Sequence, residues 1–219
     1  MKKAVIIGSS GMVGKVVLNL CLEHPEISQV ISWVRKPSGI SHPNLLEVVT
    51  DDLVNYPDAA TYFADVTAAY CCVGVYTGAV PKDVFRKVTT DIPIAFAKAL
   101  YAHSPAARYC FLSGQGADRT GKSAMMFARD KGDAENAISD LAQGRFFTFR
   151  PGYIYPVEKR EEPSFGYRLM RNLYPVFRLL GKNVSITSEQ LAQAIFQVGM
   201  DTGSYLEELE NKDIINVIE

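Results

Sequence analysis

At 219 residues the chain has the length of one domain with a sizeable core. Its 23 basic and 24 acidic residues leave a net charge of −1, so there is no electrostatic case for nucleic acid or a charged membrane surface. No apolar run approaches the ~18 residues of a membrane span, and the run between Lys2-Lys3 and Gly8 is shorter than the ~7–15 of a secretory core.

Cys21, Cys71, Cys72 and Cys110 form no C-x-x-C pair and sit mostly in apolar runs. They read as buried, reduced thiols of a soluble cytoplasmic protein. His24, His42 and His103 are scattered, so no metal site is expected.

Ala4 to Ile7 reads as a short buried strand, and Lys15 to Leu22 as an apolar-rich helix that ends near His24-Pro25. Between them, Gly8, Gly11 and Gly14 are spaced G-x-x-G-x-x-G, inside Gly8-Ser9-Ser10-Gly11-Met12-Val13-Gly14. Strand, glycine turn and helix form the context of a dinucleotide-binding loop. Gly8 makes the tight turn, Gly11 lets a pyrophosphate approach and Gly14 lets the helix pack on the strand. Amides opening the helix then face the phosphates. An ordinary βα turn shares the same triplet.

Val30 to Val34 is a second strand, followed by Arg35-Lys36-Pro37. In a dinucleotide fold the end of this strand meets the adenosine ribose. Two basic residues there suit a 2′-phosphate and favour NADP(H) over NAD(H); a solvated basic loop is the other reading. Leu45 to Val49 is a third strand, and Asp52 with Leu53 then either lies beside adenine or caps a helix. Val66 to Val73 holds a fourth strand, and Cys72, Val73 and Gly74 at its end would line the cofactor.

Val80 to His103 is helical in pattern, with Pro93 near the first turn of its second half. Ala107 to Leu112 is a fifth strand ending at Ser113-Gly114. A helix spans about 124 to 142, and Phe146 to Arg150 is a sixth strand closed by Pro151-Gly152. This alternation predicts a doubly wound parallel α/β sheet.

The segment from Tyr153 to Lys182 is aromatic and basic, with Phe165, Leu169, Leu173, Phe177 and Leu180 at helical spacing. A substrate-pocket wall, a core-covering helix and a membrane-surface helix all fit that pattern. Thr187-Ser188-Glu189-Gln190 predicts a capping box opening a helix to about Met200, and Asp213 to Ile218 reads as a final strand. The expected organisation is one domain over 1–219, with a cofactor-binding core at 1–152 and a substrate-side region at 153–219.

Three stretches resemble the atypical short-chain dehydrogenase/reductase group, in particular its Tat-interacting-protein-like oxidoreductase branch. They are the glycine motif, Leu112-Ser113 with Gly116-Ala117-Asp118, and Phe149-Arg150-Pro151-Gly152. The tail Leu206-Glu207-Glu208-Leu209-Glu210-Asn211-Lys212 resembles the branch most specifically.

The resemblance implies a Rossmann fold, a nicotinamide cofactor along Pro151, Gly152 and Tyr153, and a homodimer paired through helices. It also implies a serine after the fifth strand and a Tyr-x-x-x-Lys on the next helix. There the tyrosine gives its proton to a carbonyl oxygen, the serine orients that oxygen, and the lysine holds the nicotinamide ribose and lowers the tyrosine pKa.

Ser113 and Lys131 match the serine and lysine, although Ser113 also reads as a cap. The tyrosine position is Phe127, which has no proton to give. Tyr153 and Tyr76 are the candidate substitute phenols. Two functions follow: an NADP(H)-dependent oxidoreductase on a small carbonyl-type substrate, or a non-catalytic NADP(H)-binding sensor or regulator.

Overall fold

The structure, a computed structural model, describes residues 1–157 and 183–219. The expected pocket-wall residues Phe165 to Leu180 lie outside the described residues.

The chain begins with β1 (Lys2–Ile7), α1 (Gly14–Glu23), β2 (Ile27–Val34), β3 (Leu45–Val49), α2 (Ala59–Phe63) and β4 (Ala68–Cys71). It continues through α3 (Lys82–Arg86), α4 (Ile92–His103), β5 (Arg108–Leu112), α5 (Met126–Ala142) and β6 (Phe146–Arg150). After β7 (Tyr153–Tyr155), the described chain resumes before β8 (Ser185–Thr187), α6 (Ser188–Met200), β9 (Glu208–Glu210) and α7 (Asn211–Ile218).

Seven strands form one sheet in the order β3-β2-β1-β4-β5-β6-β9, and every pairing is parallel. Helices cover both faces, which is why the central strands are apolar on both sides. All residues of β4 and β6 are buried. On one face α1 and α6 pack Val17, Leu18, Leu191 and Ile195 against Ile6 and Tyr70. On the other, α4 and α5 set Phe96, Leu100 and Ile138 against Val5, Trp33 and Phe111. Each fully buried side chain of this size stabilises the fold by roughly 1.5–3 kcal/mol.

The predicted helix from Val80 to His103 is interrupted by a π-helical turn, Lys87–Asp91, between α3 and α4. Pro93 sits in the first turn of α4, directly after the π-helical turn. The capping box at Thr187 is present, with the Thr187 hydroxyl accepting from the Gln190 amide at 3.1 Å. The expected final strand from Asp213 to Ile218 is instead part of α7. Its apolar residues pack against α6 on one helical stripe, and Glu210 and Asp213 form a capping box. The sheet's last strand lies just before it, at Glu208–Glu210.

Candidate active site

In a parallel sheet of this order, chain connections leave β1 in opposite directions, so a crevice opens at the carboxyl ends of β1 and β4. The glycine turn fills that crevice. Gly8 has φ +81°, and a Cβ there would stand 2.5 Å from the Cys72 carbonyl carbon. A Cβ on Gly14 would stand 2.1 Å from the Gly8 carbonyl oxygen. These two glycines are therefore demanded by packing. Gly11 differs, because its Cβ would come no closer than 3.2 Å to the protein. Its bare backbone keeps the outer face of the turn clear. The first turn of α1 holds no acidic residue and no side-chain cap; the Lys15 amide is used on the Gly11 carbonyl at 2.9 Å, and the helix dipole favours an anion in front of the turn. The cradle fits the pyrophosphate of a dinucleotide.

The turn opens into a cavity of about 610 Å³. Gly11, Met12 and Val13 line it from the turn, and Cys72, Val73, Gly74 and Tyr76 from the end of β4. Ser113 follows β5, Phe127 and Lys131 stand on α5, and Gly152 and Tyr153 come from the connection after β6.

Backbone bonds hold these parts in register. The Ser113 amide donates to the Phe149 carbonyl at 2.8 Å, and Gln115 to Pro151 at 3.0 Å. The Gly152 amide donates to the buried Asn211 side chain at 2.9 Å. This gives the tail a physical role: its Asn211 supports the cavity wall.

Phe127 and Lys131, four residues apart on α5, share one helix face. The Phe127 Cζ lies against Gly114, where an added Cβ would be 2.7 Å away. Lys131 is 4% exposed, and its Nζ donates to the Leu112 carbonyl at 2.9 Å. The Nζ also lies 4.4 Å from the Phe111 ring centroid. Burial lowers the Lys131 pKa to about 8, against smaller opposing effects of Cys71, Glu135 and Cys72. Four residues further along the helix, Glu135 is completely buried. Its Oε1 accepts from Ser113 Oγ at 2.6 Å, Thr148 Oγ1 at 2.9 Å and Arg150 Nε at 3.1 Å. Its Oε2 accepts from Arg119 Nε at 3.0 Å and from Arg150 Nη2. Burial alone would raise the Glu135 carboxyl, but the bonds from Arg150 and Ser113 hold it below the ordinary value.

The other expected site residues are not among those that line this cavity. Gly8 packs against the Cys72–Val73 backbone just after β4. Ser9 is buried and shares a 2.7 Å hydrogen bond with Ser32 of β2, while Ser10 is exposed. Arg35 and Lys36 are exposed at the end of β2. The Asp52 carboxylate accepts from the Val54 amide and the Asn55 side chain, so it closes a turn. Leu53 packs into the core with Trp33 and Phe63. Pro151 is buried.

The sequence reading missed Glu135 and the functions of Arg119 and Arg150. The available signal was spacing: Glu135 follows Phe127 and Lys131 at the same four-residue interval.

A charged group buried at such a site costs stability. Lys131 has a folded pKa of about 8, below its unfolded value, so the unfolded chain holds more protons between about pH 8 and 10.4. The penalty is full below that window and relieved as pH rises through it. Lys131→Met is expected to raise the unfolding free energy by roughly 2 kcal/mol at pH 7, the ~3 kcal/mol of the pKa shift less about 1 kcal/mol for the lost bond to the Leu112 carbonyl. The gain should shrink toward pH 10, as measured by urea unfolding across pH.

No protein-family model matches the chain. Protein FMP52, mitochondrial, of Lodderomyces elongisporus is 28% identical over 170 residues, covering 74% of this chain and 70% of that protein. The Aspergillus clavatus protein fmp52, mitochondrial, is 27% identical over 171 residues, covering 75% and 71%. Both names place those relatives in mitochondria, which overturns the cytoplasmic expectation. Buried thiols and balanced charge do not separate one reducing compartment from another.

Among solved structures, a UDP-N-acetylglucosamine 4-epimerase from Methanobrevibacter ruminantium M1, in complex with UDP-N-acetylmuramic acid, superposes with a TM-score of 0.71 at 13% identity. The match covers 95% of this chain and 76% of that one. Bordetella bronchiseptica WbmH, in complex with NAD+, gives 0.67 at 16% identity over 93% and 73%. Uronate dehydrogenase from Agrobacterium tumefaciens gives 0.63 at 16% identity over 93% and 73%. Among the described residues, no helix is long and apolar enough to cross a membrane.

Proposed function

We propose, from the premise that this chain has the short-chain dehydrogenase/reductase fold, that it binds NADP(H) and acts as an oxidoreductase on a small carbonyl-type substrate. The observation that carries the reading is the cavity itself, where the glycine turn, Ser113 and Lys131 meet at the switch point of the sheet. Gly11, Met12, Val13 and the start of α1 hold the pyrophosphate, with Ser9 and Ser10 in the same turn. Arg35 and Lys36 take the 2′-phosphate, and Asp52 with the backbone beside it at Leu53 takes the adenine. Cys72, Val73 and Gly74 flank the cofactor on one side, and Gly152 and Tyr153, following the buried Pro151, on the other. Lys131 holds the nicotinamide ribose. When bound, the nicotinamide supplies or accepts hydride.

Titration with NADPH and NADH, followed by nicotinamide fluorescence, tests the cofactor. NADPH is expected to bind at least about tenfold more tightly, since charge-assisted hydrogen bonds to a phosphate contribute about 1.5–3 kcal/mol each. Arg35→Ala with Lys36→Ala should erase that preference. Tighter binding of NADH would remove the role given to the two basic residues, and no binding of either would sink the reading.

Phe127 specifically favours a second reading, a non-catalytic NADP(H)-binding sensor or regulator. A panel of small aldehydes and ketones separates the two. Turnover by the wild type supports the oxidoreductase, with Tyr153 or Tyr76 as the substitute acid. A Tyr→Phe change that leaves turnover intact removes that tyrosine from the role. Turnover that emerges only in Phe127→Tyr, by about 10²-fold or more over wild type, supports the second reading.

A further inference from the structure

We propose that Asn211 is a positioning residue for the nicotinamide end of the cofactor. Its side-chain amide fixes the wall segment Gly152-Tyr153, so the tail of the chain sets how tightly the nicotinamide half is held and leaves the adenosine half untouched. The proposal rests on the cofactor reading above and goes beyond it, giving a part in binding to a residue outside the cavity lining.

Asn211 is the first residue of α7 and is completely buried. Its Oδ1 accepts from the Gly152 amide at 2.9 Å, and its Nδ2 donates to the Ser185 carbonyl at 3.1 Å. A backbone N–H only donates and a carbonyl only accepts, so these two partners fix which way the side-chain amide faces. They also belong to different strands of the small sheet. Gly152 immediately precedes β7, and Ser185 opens β8, where it stands opposite Tyr153. One planar amide therefore joins the two strands at the point where they begin.

The seat is tight, so the amide transmits position. A Cβ on Gly152 would stand 2.4 Å from the Val184 carbonyl oxygen, and the Tyr153 amide donates to that oxygen at 2.9 Å. Gly152, Tyr153 and Ile154 line the cavity together with Phe127 and Lys131. Asn211 is itself anchored from behind. It follows β9, where Glu210 stands opposite Arg150 in the sheet and the Glu208 carboxylate meets the Arg150 guanidinium at 2.5 Å. The next amide, of Lys212, donates to Asn183 Oδ1 at 3.1 Å. A buried backbone group that loses its partner must move to find another, so loss of the Asn211 amide releases the wall.

The adenosine half is held at the other end of the sheet. β9 stands five places from β2 in the strand order, roughly 24 Å away at about 4.8 Å per strand. Arg35 and Lys36 follow β2 directly. The glycine turn packs on the Cys72–Val73 backbone, in the middle of the sheet. A change at Asn211 thus separates the two ends of one ligand, which a general loss of stability does not.

Isothermal titration calorimetry of the full chain with NADPH and with 2′,5′-ADP, the adenosine half alone, reads the two ends separately. The wild type is expected to bind both. Binding of neither sinks the cofactor reading and this proposal with it, and a wild type that holds only one of them overturns the separation of the halves. Asn211→Leu, which nearly keeps the shape and removes both bonds, is expected to weaken NADPH by about tenfold or more while changing 2′,5′-ADP by less than about twofold. Lys212→Ala is the control, since that exposed neighbour makes its bond to Asn183 through its backbone; both ligands should bind it as they bind the wild type. If Asn211→Leu does not fold, Asn211→Ser carries the same test, being too short to reach both partners yet open to a bridging water. A purely structural role would lower the urea midpoint without moving NADPH relative to 2′,5′-ADP. That result, equal weakening of the two ligands, or wild-type affinity for NADPH in the folded variant would overturn the proposal.

Discussion

Glu135→Ala is expected to lower the unfolding free energy by about 3–5 kcal/mol in urea titrations at pH 7. The carboxylate is the centre of a charge network linking four parts of the chain. It joins α5 to Arg150 on β6 and to Arg119 in the loop after β5. The arginines reach on to β9 and the residue before it: Arg119 to Glu207 at 2.7 Å, and Arg150 to Glu208 at 2.5 Å. Arg150 is 8% exposed.

Such an ion pair is no guarantee of net stability relative to an apolar substitute. Removing one member is different, because it leaves the two arginines' donors to Glu135 unpaired in a buried site, with only the acidic residues of the tail still facing them. The same carboxyl sets an acid limit. Its folded pKa lies below the unfolded value, so its contribution is present above the unfolded carboxyl range near 4.3 and lost as pH falls through the folded value. The acid limb of the stability curve should therefore flatten in Glu135→Ala. A variant within about 1 kcal/mol of wild type would contradict the role assigned to the network.

Gly14→Ala is expected to cost about 3 kcal/mol or more and to abolish NADPH binding. The added methyl would stand 2.1 Å from the Gly8 carbonyl oxygen and 3.1 Å from the Cys72 Cβ. The nearest obstacle is backbone, which cannot rotate away as a side chain can. Relief requires α1 to move off β1, and that movement dismantles the turn.

Gly11→Ala is the control. Its methyl would meet the Gly8 oxygen at 3.2 Å, a contact relieved by a small shift. It should cost less than about 1 kcal/mol of stability yet weaken NADPH by about tenfold or more, since the methyl occupies the face kept clear for the pyrophosphate. Urea unfolding and nicotinamide fluorescence on both variants separate the packing glycines from the binding glycine. Normal NADPH affinity in Gly14→Ala would refute the packing explanation.

The fold was legible where the pattern is local. Ala4–Ile7 before three spaced glycines announces a strand, a tight turn and a helix. Apolar-run signals recover the other central strands, although the strand expected at Val66–Val73 is confined to Ala68–Cys71. The tail was misread because Asp213 to Ile218 is short and mostly apolar, a pattern that suits a strand or a buried helix. The capping box at Glu210 and Asp213 and packing on α6 decide for the helix. The location was not legible, since burying thiols is the same physics in every reducing compartment.

The sequence by itself determined the doubly wound parallel sheet, the placing of Gly8, Gly11 and Gly14 between β1 and α1, and the absence of a phenol at position 127. Each of these follows from residue type and short-range spacing. Only the tertiary structure decided which way the site's polar groups face. The direction of the Ser113 hydroxyl depends on Glu135, 22 residues away, whose charge depends on Arg150 and Arg119 from two other segments. Hydrogen-bond polarity is a property of the pair and its burial, so no single residue in the chain announces it.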